Sequence, residues 1–558
     1  MREFDVIVIG TGAGGGIAIK TLCEAGLKVC ALNAGRELIP EKDFQEHRMP
    51  YDMPFRGFGS PKQRAESVGY MDNEYGPNIW EHDLAYSTAP GTRWMWPRCF
   101  AVGGKTNFWG RSSARFAEID FKAASRDGFD VDWPVSYDEI APYYSRIERM
   151  IGVASTVQNR PSNPDGVYLP PIRFRCRDYI LQAAAEKSGI PYLPDRYAQL
   201  TVPHEGHPAC HYCGNCTNGC DVGAFFSSPY FFLPKANATG NLELRTNALA
   251  REILVDSDGR AKGVAYVDRG TRREVEVYGK AVVVAASCIA SAHIMLSSKS
   301  RHWPTGIGNS SGQLGRNLCD HLYGTTAFGY LPQLLGAPSF PDNVSSTSVA
   351  WLPRWQNLEN PTKEKFIRGY SMYPDGGCEI FPSYYDDIEG YGSSYKAEIK
   401  RRYPTPLSFY VQAPSQRSDK NFVDIDPEKK NIYGIPEVRI HFEWDENALK
   451  MWEHAKESCR EIFRNAGAIY EGHGEIESPG FSLHETGTCR MGNDPKHFVT
   501  NRFGQSHDVP NLYVCDASVF LNCTDKTTTL SILAFSLRTS EYILQNFKAG
   551  EHRSESAI

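Results

Sequence analysis

Three groups of residues have types and spacings that can do chemistry. Cys210, Cys213, Cys216 and Cys220 follow the spacing C-x2-C-x2-C-x3-C, in which short spacers let one loop wrap thiolates around a single iron–sulfur cluster. Gly214 and Gly219 supply the backbone freedom such a loop needs. Asp221 stands where ferredoxin runs carry proline. One such run fits a three-iron cluster (3Fe-4S) on three thiolates or a four-iron cluster (4Fe-4S) on four. Structural zinc competes, although it usually joins two separated pairs, and paired disulfides are a third reading.

The second group is Gly10-Thr11-Gly12-Ala13-Gly14-Gly15. Gly10 permits a tight turn, Gly12 lets the backbone approach a pyrophosphate, Gly15 allows close helix packing, and the helix that follows offers unpaired N–H groups to phosphate. Asn33 replaces the acid expected at the end of the next strand. Its amide can accept a ribose O–H without adding charge, or it can simply cap the strand before Gly35. The third group is the glycine-containing loop His484-Glu485-Thr486-Gly487-Thr488. An imidazole with an ordinary pKa near 6.5 can take a hydroxyl proton at working pH. Other histidines, such as His293 and His454, read as satisfied core residues.

The elements that position these groups follow from periodicity. Phe4 to Gly35 reads as strand, glycine turn, helix from Ile17 to Ala25, a stop at Gly26 and a second strand, which is a βαβ unit. Thr246 to Leu296 carries β-branched runs and then a helical segment from Ile289 to Ser297. Thr325 to Ile476 is rich in aromatics and alternating runs and contains a helix-like Glu446 to Ala466. Helical periodicity returns at Thr529 to Phe547, and Lys548 to Ile558 reads as a frayed tail. The expected architecture is mixed α/β: a discontinuous Rossmann-like domain over 1–324, with the cysteine loop inserted at 205–225, a β-rich substrate-binding domain over 325–476, and a return over 477–547.

Composition narrows the class. At 558 residues two domains are expected, and 60 basic against 66 acidic residues imply no pull toward nucleic acid or anionic lipid. No stretch is long and apolar enough to span a membrane. Only Met1 to Glu3 precede the first apolar run, too few for a cleavable leader, so any export is expected to depend on another chain. Of the 15 cysteines, Cys23, Cys30 and Cys288 read as small buried hydrophobes.

Further segments join these groups: Ala101-Val102-Gly103-Gly104-Lys105-Thr106-Asn107-Phe108-Trp109-Gly110, the His484 loop with Met491-Gly492, and Asn511-Leu512-Tyr513-Val514-Cys515-Asp516-Ala517-Ser518. Together they resemble the glucose-methanol-choline (GMC) oxidoreductases from end to end. The resemblance implies the GMC oxidoreductase fold and FAD as the dinucleotide, with Gly103, Gly104, Thr106, Asn107, Asp516 and Ala517 around it. It makes His484 the catalytic base. Phe108 falls where some members carry a flavin-linking histidine, so non-covalent FAD is expected. Thr527, beside Lys526, falls where the family usually has a second histidine or asparagine. The cysteine loop before Gly223-Ala224 resembles that of multi-subunit bacterial sugar dehydrogenases, glucoside 3-dehydrogenases above all, and favours the 3Fe-4S cluster. That implies a dehydrogenase acting on a sugar or glycoside at C3, a small signal-bearing partner subunit, a cytochrome-type acceptor and a periplasmic location. A gluconate- or sorbitol-type polyol dehydrogenase, an electron-transfer subunit without alcohol chemistry, and a cytoplasmic location are the alternatives. Tyr373, Phe381, Tyr384, Tyr385 and Tyr391 are weak candidates for stacking on a sugar ring.

Overall fold

The buried apolar run Val6, Ile7, Val8 and Ile9 makes a central strand, since only a strand covered on each side can bury a continuous hydrophobic run. The computed structural model describes residues 3–44, 46–48, 52, 84–214, 216–338, 349–375 and 388–550. Strand β1 (Glu3–Ile9) runs into the glycine turn, helix α1 (Ala13–Glu24) and strand β2 (Val29–Leu32), which pairs parallel to β1 from Val6↔Val29 to Ile9↔Leu32. The helix starts earlier than periodicity indicated, because the glycines themselves form its first turn. It stops at Gly26, whose backbone is left-handed and whose N–H bonds Cys23 O at 3.0 Å.

Strand β3 (Leu242–Arg245) extends the sheet beyond β2. Strands β4 (Ala248–Val255), β5 (Ala261–Asp268) and β6 (Glu274–Val284) form an antiparallel meander, and β6 returns parallel to β1. A last strand, Leu512–Val514, joins parallel to the end of β6. Segments more than 500 residues apart thus share one seven-stranded sheet.

A second, antiparallel sheet has the order β8 (Ser371–Asp375), β9 (Pro406–Pro414), β7 (His321–Tyr330), β10 (Ile469–Gly472). Strand β7 straddles the boundary expected at 324. Alternation divides this sheet's faces. Leu322, Met372, Val411 and Ala413 pack against the apolar stripe Met451, Ala455, Cys459, Ile462 of helix α2 (Glu446–Ala466). Tyr323, Tyr373, Tyr410 and Gln412 share the opposite parity. Asp445 caps α2 by accepting from Ala448 N at 3.0 Å, and Gly467 ends it. No helix among the described residues is long and apolar enough to cross a membrane.

The glycines fix how α1 meets the first sheet. A Cβ on Gly14 would lie 1.7 Å from Cys515 O, and one on Gly15 would lie 2.0 Å from Gly10 O. A Cβ on Gly12 would meet only Gly103 O at 3.8 Å. Gly14→Ala should therefore lower stability by about 3 kcal/mol or more, whereas Gly12→Ala should keep its Tm and lose dinucleotide. Thermal melts with FAD titration check this; equal melting temperatures for the two variants would contradict it.

Candidate active site

Parallel strands that end on one edge deliver their following residues to one place. The turn after β1 brings Gly10–Gly14, the end of β2 brings Asn33, the end of β6 brings Ala285–Ser287, and the end of the last strand brings Asp516 and Ala517. All of them line a single cavity that continues to Tyr323, Tyr373, Tyr410 and Gln412 of the second sheet and to His484. It holds ≈ 2330 Å³ of empty space, counting the part open to solvent.

At the strand-edge end, α1 starts at Gly12 with no side-chain cap, leaving its first N–H groups to the cavity. Thr11, which motif reasoning passed over, knits three segments. Its hydroxyl donates to Asn33 Oδ1 at 2.7 Å and accepts from Gly103 N at 2.9 Å. Asn33 donates through Nδ2 to Gly35 O (3.0 Å) and Phe100 O (2.7 Å), so only a second lone pair on Oδ1 is left for a ribose hydroxyl.

The second glycine segment is a 3-10 turn, Gly104–Asn107, preceded by left-handed Gly103. Gly104, Lys105 and Thr106 line the cavity. Thr106 Oγ1 donates to Gly103 O at 2.6 Å, and Asn107 Nδ2 donates to Val102 O and Gly104 O at 3.0 and 2.9 Å, so both hold the turn's shape. Phe108 is buried against Cys99, Ala101 and Phe44, outside the cavity lining. Asp516 accepts from Ser287 N, Ser291 Oγ, Ser518 N and Ser518 Oγ and is buried, and burial raises its carboxyl above the usual range.

Two neighbouring residues set His484 in place. Asp320 accepts from Gly480 N at 2.7 Å and Ser482 Oγ at 2.6 Å, pinning the loop that leads to it. His321 Nε2 meets Thr524 O at 2.6 Å, and a carbonyl only accepts, so Nε2 carries the hydrogen. Burial lowers the His321 pKa to about 4, so its Nδ1 is a bare acceptor. His484 Nδ1 lies 3.1 Å from it and must be the donor. The tautomer follows: His484 keeps its proton on Nδ1 and a lone pair on Nε2. Burial first, then His321 and Lys105, hold His484 well below the ordinary imidazole range. Leu483, just before it, has φ of 62°, backbone strain of the kind that persists where surroundings impose it.

Thr527 lines the cavity, but its hydroxyl donates to Ser112 O at 2.8 Å and can only accept from a substrate. Lys526 is fully buried between Asp120 (2.9 Å) and Asp525 (2.8 Å). Burial opposes its charge, yet the two carboxylates keep it protonated, so it is a structural cation outside the cavity. Lys105 Nζ pairs with Glu485 Oε2 at 3.2 Å across the lining, and Glu485 Oε1 is buried without a partner among the described residues. His454 bonds the Tyr370 hydroxyl at 2.6 Å, as a core histidine does, whereas His293, bonded to Pro436 O at 2.7 Å, also reaches the cavity wall. Tyr373 lines the cavity and Tyr391 is almost fully exposed. Phe381, Tyr384, Tyr385 and the tail beyond 550 lie outside the described residues.

The cysteine loop presents four free thiols. Gly214 and Gly219 take left-handed backbone within it. Cys210 Sγ accepts from Tyr212 N and Gln199 Nε2, both at 3.3 Å, and Cys220 Sγ accepts from Ala224 N at 3.4 Å. Burial pushes the Cys210 and Cys220 thiols up to about 11 and about 12.

This geometry agrees with the comparisons. The GMC oxidoreductase family matches residues 14–323 and 417–536 in its N- and C-terminal parts. The chain belongs to that family, is built on its fold, binds FAD and acts on CH–OH groups. It is 29% identical to 2-methyl-1,2-propanediol dehydrogenase of Mycolicibacterium austroafricanum, over 98% of this chain and 96% of that one. It is 26% identical to the fructose dehydrogenase large subunit of Gluconobacter japonicus, over 98% of each. The solved pyridoxine 4-oxidase from Mesorbium loti shares the fold at a TM-score of 0.64 and 15% identity, over 97% of this chain and 99% of that one.

The uncapped α1 amides and the unpartnered Glu485 Oε1 fit a bound FAD that needs donors for its pyrophosphate and a partner for its polar atoms. Sequence reasoning missed Thr11, Gly14, His321 and the Lys105–Glu485 pair. His484→Gln should retain FAD and lose about 10²–10⁴ in turnover. His321→Ala should lose at least tenfold with FAD content unchanged. Because burial depresses the His484 pKa, its imidazole stays neutral as pH falls through 6.5, and with His484 as the base kcat/KM should hold down to and below that value. An acid limb centred at 6.5 or above would contradict the geometry.

Proposed function

We propose that the protein is a dehydrogenase that oxidises a secondary hydroxyl of a sugar or glycoside, at C3, to the 3-keto product. In this reading it holds FAD without a covalent bond and passes electrons through an iron–sulfur cluster on Cys210, Cys213, Cys216 and Cys220 to a partner protein. One observation carries it: a continuous cavity runs from the α1 amides to an aromatic end shared with His484. When bound, FAD supplies the acceptor for the hydride from the carbinol carbon. His484 Nε2 takes the hydroxyl proton while Nδ1–H stays on His321. Tyr323, Tyr410 and Tyr373 stand in ring contact, Tyr373 on Tyr410 at 5.3 Å, and present faces suited to sugar C–H groups. Gln412 Oε1, buried and without a partner among the described residues, supplies an acceptor for a sugar hydroxyl.

Phe108 has no nucleophilic atom and is buried behind the cavity-lining Cys99 and Leu483, which supports non-covalent FAD. The C-x2-C-x2-C-x3-C spacing and the N–H groups on Cys210 and Cys220 support an iron–sulfur cluster over zinc, with 3Fe-4S favoured by the family resemblance and 4Fe-4S open to four thiolates. A cluster that moves one electron at a time fits a cytochrome-type acceptor better than oxygen. The Gluconobacter relative is itself a large subunit, which supports a small companion here and, through a companion bearing an export signal, a periplasmic location. Arg111 in the cavity lining favours one other substrate, a sugar acid of the gluconate type.

Under anaerobic conditions methyl glucoside should bleach the bound flavin, and under air dye reduction should far outpace peroxide release. Acid precipitation should free the flavin, and iron and sulfide should co-purify. Peroxide matching substrate consumed overturns the dehydrogenase reading. Bleaching by gluconate but not by methyl glucoside moves the substrate to the sugar acid.

A further inference from the structure

Backbone ladders join the cavity wall to the cysteine loop. Arg111, Ser112 and Tyr197 line the cavity. Arg111 O accepts from Ala198 N at 3.0 Å, and Ser113 N donates to Arg196 O at 2.6 Å, so the wall is laced to residues 196–198. That segment in turn grips both ends of the cysteine loop. Cys210 N donates to Leu200 O at 2.8 Å, Leu200 N to Ala224 O at 2.9 Å, and Phe226 N to Ala198 O at 3.2 Å. Trp109, another wall residue, donates from Nε1 to Phe226 O at 2.8 Å. Within this lattice, Gln199 is 1% exposed, two residues from Tyr197, and donates from Nε2 to Cys210 Sγ at 3.3 Å.

We propose that Gln199 is a positioning residue for the cluster: its side-chain N–H holds Cys210 and raises the cluster's reduction potential, making Cys210 the sulfur coupled to the flavin wall. The inference rests on the iron–sulfur reading. An N–H donated to a ligand sulfur stabilises the extra negative charge of the reduced cluster, and hydrogen bonds to sulfur are among the features that set such potentials. Another donor on Cys210, Tyr212 N, is a main-chain group local to the loop. Among the described donors, Gln199 belongs to the segment that also forms the cavity wall. The hydride taken from substrate carries two electrons and one proton; the electrons would leave the flavin singly, each passing through the cluster to a one-electron haem acceptor, the proton that came with the hydride would be released from the reoxidised flavin to solvent, and the proton of the oxidised hydroxyl would go to solvent through His484.

The test is an EPR-monitored redox titration of purified holoenzyme carrying Gln199→Met, which keeps side-chain length and removes the donor, beside wild type and Gln199→Glu. Iron, sulfide and flavin are measured on each sample. The expected result is a full cluster in Gln199→Met with a more negative midpoint. A tenfold change in the oxidised-to-reduced ratio at fixed potential corresponds to about 59 mV for a one-electron couple. Gln199→Glu, which offers an acceptor in place of the donor, should shift it at least as far. Loss of the cluster from Gln199→Met at normal flavin content would also support the positioning role. A wild-type midpoint in both variants at full iron content overturns the inference and leaves the cluster reading intact. Absence of iron and sulfide from wild-type protein overturns that reading, and the inference with it.

Discussion

The active site depends on a place where backbones approach too closely for side chains. Gly10 presses on Ala285, Gly14 on Cys515 and Gly15 on Gly10. These contacts seat α1 across the ends of β1, β6 and the Leu512–Val514 strand, so that its amides and the residues following those strands face one space. The interaction is steric before it is electrostatic. It also explains why the sheet is completed from the far end of the chain: Cys515, whose carbonyl receives Gly14, directly precedes Asp516 and Ala517 in the cavity wall.

A second constraint operates where the two sheets meet. Strand β7 starts at His321, which holds the His484 imidazole, and Asp320 just before it pins the 480–482 loop that leads to His484. Two residues further on, Tyr323 faces the substrate end. The strand that shapes the substrate wall thereby also sets the proton position on His484. The buried Lys526–Asp525 pair works alongside it, because Asp525 accepts from Ser371 Oγ of β8 at 3.2 Å and so ties the turn bearing Thr527 to the substrate sheet. Removing one member of such a buried pair typically costs about 3–5 kcal/mol, which makes this turn a rigid part of the wall.

What could be read from sequence was what is local. The glycine turn, its flanking strand and helix, and helix α2 with its 3.6-residue stripe are each specified within a few turns of chain. The motif-borne residues Gly10, Gly12, Gly104, Thr106, His484, Asp516 and Ala517 do meet in one cavity. Residues defined by distant partners could not be read this way. Nothing near His321 signals that it will meet Thr524 and His484, since those contacts span 203 and 163 residues. Thr11 looked like an unconstrained position in the glycine motif until Asn33 and Gly103 arrived beside it. Strand position alone leaves Asn33 either a ribose partner or a cap on the strand before Gly35, and the structure shows most of its hydrogen-bonding capacity spent on Thr11, Gly35 and Phe100.

The central claim is that one cavity holds FAD with its pyrophosphate on the α1 amides and its ring beside a neutral, Nδ1-protonated His484. A crystal structure of the FAD-loaded enzyme tests it most directly. The account predicts pyrophosphate oxygens at the first N–H groups of α1, the flavin ring between the Gly104–Thr106 turn and His484, and an intact His484 Nδ1 to His321 Nδ1 hydrogen bond. A flavin ring bound away from His484, or a His484 ring turned so that Nε2 bonds His321, would contradict it.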